Sequence, residues 1–401
     1  MKKLIFLCLI LIALVVFGCA TTGGTRDNII LHERWPFYVG VTVPGNHTRG
    51  GSALDPANPQ HRLLKHFNVL VAENEMKPYA ILPQRMPAAN EWSESYIWED
   101  ADALVNYAER TKKKLRGHVL IWHDQTPDWY FRGSGREGRA TIDELYFRME
   151  NHIRTVFERY GGRIEWWDVV NEVISHDESG PRMNSMYTQI MIDAGKTGMD
   201  LYEYVLKAFE WARKYADENG GNNVQLYITE FGVERPFTRG TTTKQEDFYN
   251  LILWLVEKGA PVDGAGFQGH FRLYDHPVEQ ISAGIDMFSA IEVKPGKKLM
   301  IQVCEMDISI YSNTKGEINE QDLPDDLLKE RLTDLAQTYR DFFDMFEQKY
   351  REGKLDLVLI WGIADGHSWL NSHPRPGREE HALLFDRDYK PKQAYWSLVR
   401  R

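Results

Sequence analysis

Eight short apolar or β-branched runs, each followed by a longer amphipathic segment, predict an α/β fold: a parallel barrel of the (β/α)8, or TIM, class. Three observations carry this. The runs are too short and too continuously apolar to face water on either side, so they read as strands buried on both faces. No internal repeat or long low-complexity tract divides the chain, which makes one domain the economical arrangement. The length of 401 residues, 43% of them apolar, supports a sizeable core and excludes intrinsic disorder or a fibrous repeat.

The strands are predicted at Phe37 to Thr42, Phe67 to Val71, Leu115 to Trp122, Ile164 to Val170, Val224 to Thr229, Val262 to Gln268, Leu299 to Cys304 and Leu355 to Trp361. Between them, Trp98 to Arg110 carries Ala101, Leu104, Val105 and Ala108 at helical spacing. Similar patterns occupy Tyr146 to Tyr160, Met199 to Tyr215, Lys244 to Lys258, Pro277 to Ile285 and Leu327 to Tyr350, and Ala394 to Val399 can seal the last helix. Phe131 to Ala140, Asp177 to Asp193 and Ser312 to Asp326 are polar or irregular and read as long loops. Such loops matter because a barrel of this class builds its site at the C-terminal ends of its strands.

The N-terminus reads as an export signal. Lys2 and Lys3 precede an apolar stretch from Leu4 to Phe17, too short to span a membrane in the usual way but the right length for a signal core. Gly18-Cys19-Ala20 resembles a bacterial lipoprotein cleavage site, with Cys19 as the lipidated first residue of the mature chain. Ala20 in place of Asp resembles lipoproteins sent to the outer membrane; release into the periplasm or medium is the alternative. The expected division is residues 1–19 as signal peptide, 20–30 as a short linker and 31–401 as a single folded domain. Beside Cys8 and Cys19 only Cys304 exists, so a disulfide framework is excluded, and Cys304 reads as a small buried hydrophobe.

Lys and Arg number 48 against 58 Asp and Glu, a net charge of -10, which removes nucleic acid from the expected partners. The 12 Trp and 19 Tyr suit flat platforms for a neutral ligand such as a sugar. The 13 His form no compact ligand run and no HExxH is present, so neither metal nor cofactor is expected.

Two strand ends stand out. Glu165 to Glu172 reads EWWDVVNE and Leu299 to Asp307 reads LMIQVCEMD, each placing a carboxylate directly after an apolar run. Any single surface Glu is more often a cap or a salt-bridge partner. Two acids converging on one barrel mouth can cleave a glycoside, one protonating the leaving oxygen while the other attacks the anomeric carbon or activates water. The same logic selects His118, Trp122, Gln125, Gln268, His270, Trp361 and Trp369, whose amides, imidazoles and indoles can bind hydroxyls or stack on a pyranose.

Seven segments in one order then identify a family resemblance: FNVLVAENEMK at Phe67 to Lys77, GHVLIWHDQTPDW at Gly117 to Trp129, WDVVNE at Trp167 to Glu172, GFQGH at Gly266 to His270, EMDI at Glu305 to Ile308, WGIADGHSW at Trp361 to Trp369, and YKPKQAY ending at Tyr395. The chain resembles glycoside hydrolase family 10, the endo-1,4-β-xylanases, over almost all of its mature length. The resemblance implies a retaining mechanism with Glu172 as acid/base, assisted by Asn171, and Glu305 as nucleophile. It places His270 between Glu305 and Asp307, and assigns hydroxyl contacts on the non-reducing side to Glu73, Asn74 and Lys77. His118, Trp122, Gln125 and Gln268 fall around the reacting sugar, and Trp361 and Trp369 on an aromatic wall. Asp168 is expected to organise buried hydrogen bonds. Xylan and xylo-oligosaccharides are the implied partners of a monomeric enzyme. The alternatives are a non-catalytic glycan-binding protein on this scaffold, or a retaining glycosidase with shifted β-glycan specificity.

The chain departs from the family pattern after the fifth strand, where Thr229-Glu230-Phe231-Gly232 stands in place of Asn-Asp-Tyr-Asn and brings in Glu230 as a competing carboxylate. Glu305 is preferred for its Glu-X-Asp-Ile context. Val39-Gly40-Val41-Thr42 replaces a Gly-Ala-Ala pattern, and Ser52 to Pro59 and Pro181 to Gly198 add material of unread effect.

Overall fold

The computed structural model describes residues 29–46, 51–87, 92–135 and 137–400. The signal segment and Cys19 lie outside the described residues. Eight parallel strands close on themselves: β1 (Tyr38–Val43), β2 (Val69–Ala72), β3 (Lys114–Gly117), β4 (Trp166–Asn171), β5 (Gln225–Glu230), β6 (Gly264–Phe267), β7 (Met300–Ser309) and β8 (Leu355–Ile360). Each pairs with its sequence neighbours, and β8 pairs with β1, which leaves no free edge. Helices Glu99–Thr111, Ile142–Tyr160, Glu203–Glu218, Lys244–Glu257, Val278–Ser289 and Asp325–Arg351 surround the barrel, and Gln393–Val399 packs against the last of these. Thr141 opens the second of the helices with a reciprocal cap: its Oγ1 accepts from Glu144 N at 3.2 Å, and its own N donates to Glu144 Oε2 at 2.7 Å.

Alternation along the strands builds two layers. Val39, Val41 and Val43, Leu70 and Ala72, Leu226 and Ile228, and Val358 and Ile360 join the core between barrel and helices. Val69, Val71, Trp166, Tyr227, Leu357, Leu359 and Trp361 form a separate cluster inside the barrel. Beside this cluster the interior turns polar. Asp168 accepts from Arg116 and from His118 Nδ1 at 2.9 Å, Arg116 also donates to Gln302, and Gln302 Nε2 donates to Asp356 at 2.9 Å. Burial would raise the Asp168 carboxyl, but the Arg116 guanidinium and His118 hold it below its ordinary value. Cys304 is buried, with burial pushing its thiol up, and Sγ 3.4 Å from the Phe267 carbonyl.

The structure differs from the sequence reading in three places. The run expected as one strand over Leu115 to Trp122 breaks after Gly117 and resumes at Ile121–Trp122, which pairs with β4. A Cβ on Gly117 would lie 2.2 Å from the Trp167 indole, so packing against β4 shapes this stretch. Second, the segment Asp177 to Asp193, read as loop, ends in a helix at Met186–Asp193 that buries Tyr187, Ile190 and Met191 along one face. Third, β7 runs to Ser309 because His270–Arg272, a prolongation of β6, pairs with it beyond the barrel rim.

The glycines of β6 make room for the polar interior. A Cβ on Gly266 would meet Thr229 Cγ2 at 2.3 Å, Arg116 Nη2 at 2.9 Å and Cys304 Sγ at 3.0 Å, none of which can retreat in a closed barrel. Gly266→Ala is expected to cost about 1–3 kcal/mol of stability, read from urea unfolding. A loss below about 0.5 kcal/mol, the scale of a neutral surface change, would contradict this packing.

Candidate active site

Glu305 and Asp307 lie two apart on β7 and so share one face of the strand. His270 sits directly opposite Asp307 in register on the neighbouring strand. The result is a partly buried relay: His270 Nδ1 lies 3.0 Å from Asp307 Oδ2, and Nε2 lies 3.3 Å from Glu305 Oε2. Trp369 Nε1 donates to the same Asp307 oxygen at 2.7 Å, its ring 4.9 Å from the imidazole. Burial alone would depress the His270 pKa, yet Asp307 first and then Glu305 push it up to about 10, so the ring is an imidazolium that donates from both nitrogens. One Glu305 oxygen is thereby anchored. The other, Oε1, is buried and accepts no hydrogen bond among the described residues.

Glu172 follows β4 with φ of 58°, left-handed backbone that a non-glycine residue adopts only when its surroundings hold it there. Its N donates to the Thr229 carbonyl at 3.0 Å, and Arg182 Nε donates to its own carbonyl at 2.8 Å. Its Oε1 accepts from Gln268 Nε2 at 2.9 Å and Asn171 Nδ2 at 3.4 Å, both neutral amides. Asn171 is fixed in turn, its Oδ1 accepting from Thr229 Oγ1 at 2.9 Å and from Gln268 Nε2 at 3.2 Å. Gln268 ties the two carboxylates together, since its own carbonyl accepts from Glu305 N at 2.7 Å.

The loops after β2, β3 and β8 bring in the remaining candidates. Lys77 Nζ donates to Asn74 Oδ1 at 3.0 Å and lies 5.0 Å from the Trp122 ring centroid and 6.0 Å from that of Trp361. Gln125 Nε2 reaches the same Asn74 oxygen at 3.4 Å. Burial lowers the Lys77 pKa, opposed by the charges of Glu305, Glu73, Glu172 and Glu75. Burial, reinforced by Glu75, pushes Glu73 up to about 7. His118 packs edge-on against Trp361 at 5.5 Å. Trp361 is only 8% exposed and belongs largely to the inner core, so its part in a wall is the rim it shows beside Lys77. Trp369 is the more open of the two indoles.

Glu230 is not at the mouth. It is fully buried, with Oε1 2.7 Å from Lys244 Nζ and 3.1 Å from Phe231 N, and Oε2 accepting from Ile174 N at 3.0 Å. Lys244 and Arg182 went unforeseen in the sequence. Lys244 occupies the first turn of its helix, where a cation opposes the helix dipole, and that misfit is the signal of a buried acidic partner. Arg182 reaches Glu172 because the loop folds back, with Arg182 N donating to the Val173 carbonyl at 2.9 Å; the turn-forming Asp177 to Gly180 was its only hint. Glu234, also unforeseen, accepts from Gly269 N at 2.8 Å beneath the Gln268–His270 turn. Among the described residues no cluster of side chains could hold a metal ion.

Comparison with known proteins assigns the chain to a family. Residues 34–401 match the family described as Glycosyl hydrolase family 10. The chain is 38% identical over 353 residues to endo-1,4-beta-xylanase C of Paenibacillus barcinonensis, covering 87% of this chain but 30% of that longer protein. It is 35% identical over 371 residues to endo-1,4-beta-xylanase A of Halalkalibacterium halodurans, covering 87% and 83%. Among solved structures, GH10 from Paenibacillus barcinonensis superposes with a TM-score of 0.79 at 35% identity, covering 93% of this chain and 97% of that one. A mutant solved in complex with xylotriose superposes at 0.75 with 30% identity, covering 93% and 100%.

The charge on His270 has a direct readout. Because its folded pKa is raised from 6.5 to about 10, the stability it contributes is full below about pH 6.5 and is lost as pH climbs towards 10. By 15N NMR the imidazole should remain doubly protonated at pH 8, and Asp307→Asn should bring its titration down towards neutrality. A neutral His270 at pH 8 in the unaltered protein would refute the relay.

Proposed function

The chain belongs to glycosyl hydrolase family 10, and on that footing we propose that it is an endo-1,4-β-xylanase that hydrolyses internal β-1,4-xylosidic bonds with retention of configuration. One observation carries the division of labour. Glu305 has one oxygen anchored by a cationic imidazole and the other free, whereas Glu172 is held only by neutral amides at Oε1, with the Arg182 guanidinium 3.9 Å from Oε2. The anchored Glu305 with a free oxygen suits attack, and Glu172, with no charged group hydrogen-bonded to its carboxyl oxygens, is the residue that hands over the proton.

The steps follow. Glu305 Oε1 attacks the anomeric carbon, the bond to the glycosidic oxygen breaks, and its electron pair takes the proton of Glu172. The product is a glycosyl ester on Glu305. The Glu172 carboxylate then removes a proton from water, the water oxygen attacks the same carbon from the vacated side, and Glu305 leaves as a carboxylate. Asn171, fixed by Thr229 and Gln268, is placed beside the acid to bind the neighbouring sugar hydroxyl. Glu73, Asn74 and Lys77 serve the non-reducing sugars, with Trp122 and Trp369 beside the reacting ring.

The leader supports export. Lys2, Lys3, the Leu4 to Phe17 stretch and Cys19 favour a lipid-anchored enzyme at the outer membrane. No helix among the described residues is long and apolar enough to cross a membrane.

Reducing-sugar release from purified xylan, set against β-glucans and mannans, tests the substrate. Xylan should be strongly preferred, and activity should fractionate with membranes unless Cys19 is replaced by Ser. Glu172→Ala should reduce xylan hydrolysis by about 10²-fold or more, while an aryl xylobioside with an activated leaving group loses far less. Equal losses on the two substrates would remove Glu172 from the acid role.

A further inference from the structure

Arg182 is a cation with no anion in hydrogen-bond reach. Its side chain is only 11% exposed, and among the described residues the one carboxylate oxygen within 4 Å of it is Glu172 Oε2, at 3.9 Å, too far for a hydrogen bond. A guanidinium held this far out of water without a bonded counter-charge is costly, so its place needs a reason. The chain fixes it from both ends. Arg182 N donates to the Val173 carbonyl at 2.9 Å, its own carbonyl accepts from Ser185 N at 3.1 Å, and Nε donates to the Glu172 carbonyl at 2.8 Å. The Phe231 ring centroid lies 5.8 Å from the guanidinium carbon. Nη2, the nitrogen nearest Glu172 Oε2, is buried and donates no hydrogen bond among the described residues.

The two Glu172 carboxyl oxygens are unlike. Oε1 accepts from Gln268 Nε2 at 2.9 Å and from Asn171 Nδ2 at 3.4 Å, whereas Oε2 accepts from no described residue. An oxygen that accepts two N–H donors plays the carbonyl part of a carboxylic acid, so the proton sits on Oε2. When that proton leaves for the glycosidic oxygen, the electron pair of the O–H bond stays on Oε2, facing the unused N–H of a fixed cation. The other cations near the acid are committed elsewhere. Lys244 Nζ lies 2.7 Å from Glu230 Oε1, and Lys77 Nζ donates to Asn74 Oδ1 at 3.0 Å.

We propose that Arg182 is a positioning residue for the first chemical step, an inference that rests on the functional reading above. It stands off from the protonated acid and closes onto Oε2 as the proton departs, stabilising the carboxylate that forms. The gap makes the contact differential. A cation already bonded to Oε2 would favour the ionised form before substrate arrives, and an acid without its proton has none to give. A leaving group that departs as a stable anion needs no proton, so it draws nothing from this contact.

Aryl xylobiosides with leaving groups graded from phenol to dinitrophenol test this, since kcat/KM reports the step that forms the glycosyl ester. Arg182→Gln removes the charge and keeps an N–H for the Glu172 carbonyl. Its kcat/KM should fall about 30-fold for the phenyl substrate and about three-fold or less for the dinitrophenyl one, steepening the dependence on leaving-group acidity. Arg182→Lys, which keeps a cation, should recover most of the phenyl activity. A loss in Arg182→Gln that is equal across the series, or no loss at all, would overturn the proposal and leave the functional reading intact. The unaltered protein supplies a second measurement that needs no variant to fold. In a crystal of the enzyme trapped as its fluorinated xylobiosyl ester at neutral pH, with Glu172 ionised, Nη2 should lie about 3 Å from Oε2. A separation still at 3.9 Å there would reject the proposal. An unaltered protein that cleaves no member of the series would remove the functional reading and the proposal together.

Discussion

The site hangs on a partly buried cation shared by two carboxylates. Asp307 and Glu305 stand on one face of β7, both buried, where two unpaired negative charges would be prohibitive. The His270 imidazolium between them resolves this: one N–H goes to each, and Trp369 takes a further share of Asp307. The arrangement depends on strand register, because His270 meets Asp307 only while the prolongation of β6 pairs with β7 past the rim. Gly269 sets that prolongation apart from the barrel strand, at φ of 79° with Val303 Cγ1 2.7 Å from where a Cβ would sit. Glu234 holds the Gly269 N–H from below.

A second buried pair protects the first from confusion. Glu230 ends β5 and Glu305 follows the apolar start of β7, and in sequence the two look alike. Lys244 draws Glu230 into a fully buried ion pair, and two backbone N–H groups complete its hydrogen bonds. A carboxylate so satisfied has no oxygen to offer a substrate, and freeing it would strand Lys244 without a partner. The changed fifth strand therefore alters the surroundings of the acid rather than the identity of the nucleophile, while Thr229 still reaches Asn171.

What the sequence made legible follows from the same physics. The strand runs were readable because parallel strands buried on both faces must be apolar throughout, and Glu172 and Glu305 because a carboxylate breaking such a run is costly without a reason. The split of β3 was hidden, since the Trp167 indole that crowds Gly117 arrives from another strand. Met186–Asp193 was hidden by the polar turn before it, which outweighed three buried apolar residues in the reading. Arg182 and Lys244 were missed because each acts on a carboxylate ten or more positions away, brought close only by a loop return or a helix start. Trp361 was readable by motif but is mostly core, a distinction that only packing reveals.

The central claim is that Glu305, held by His270, attacks the sugar while Glu172 supplies the proton. Incubation with a slow fluorinated xylobioside, followed by proteolysis and peptide mapping, reads the attacked atom directly. The glycosyl label is expected on Glu305, within the Met300–Ser309 strand. Label on Glu230 or Glu172, or initial products of inverted configuration with no trapped ester, would contradict it.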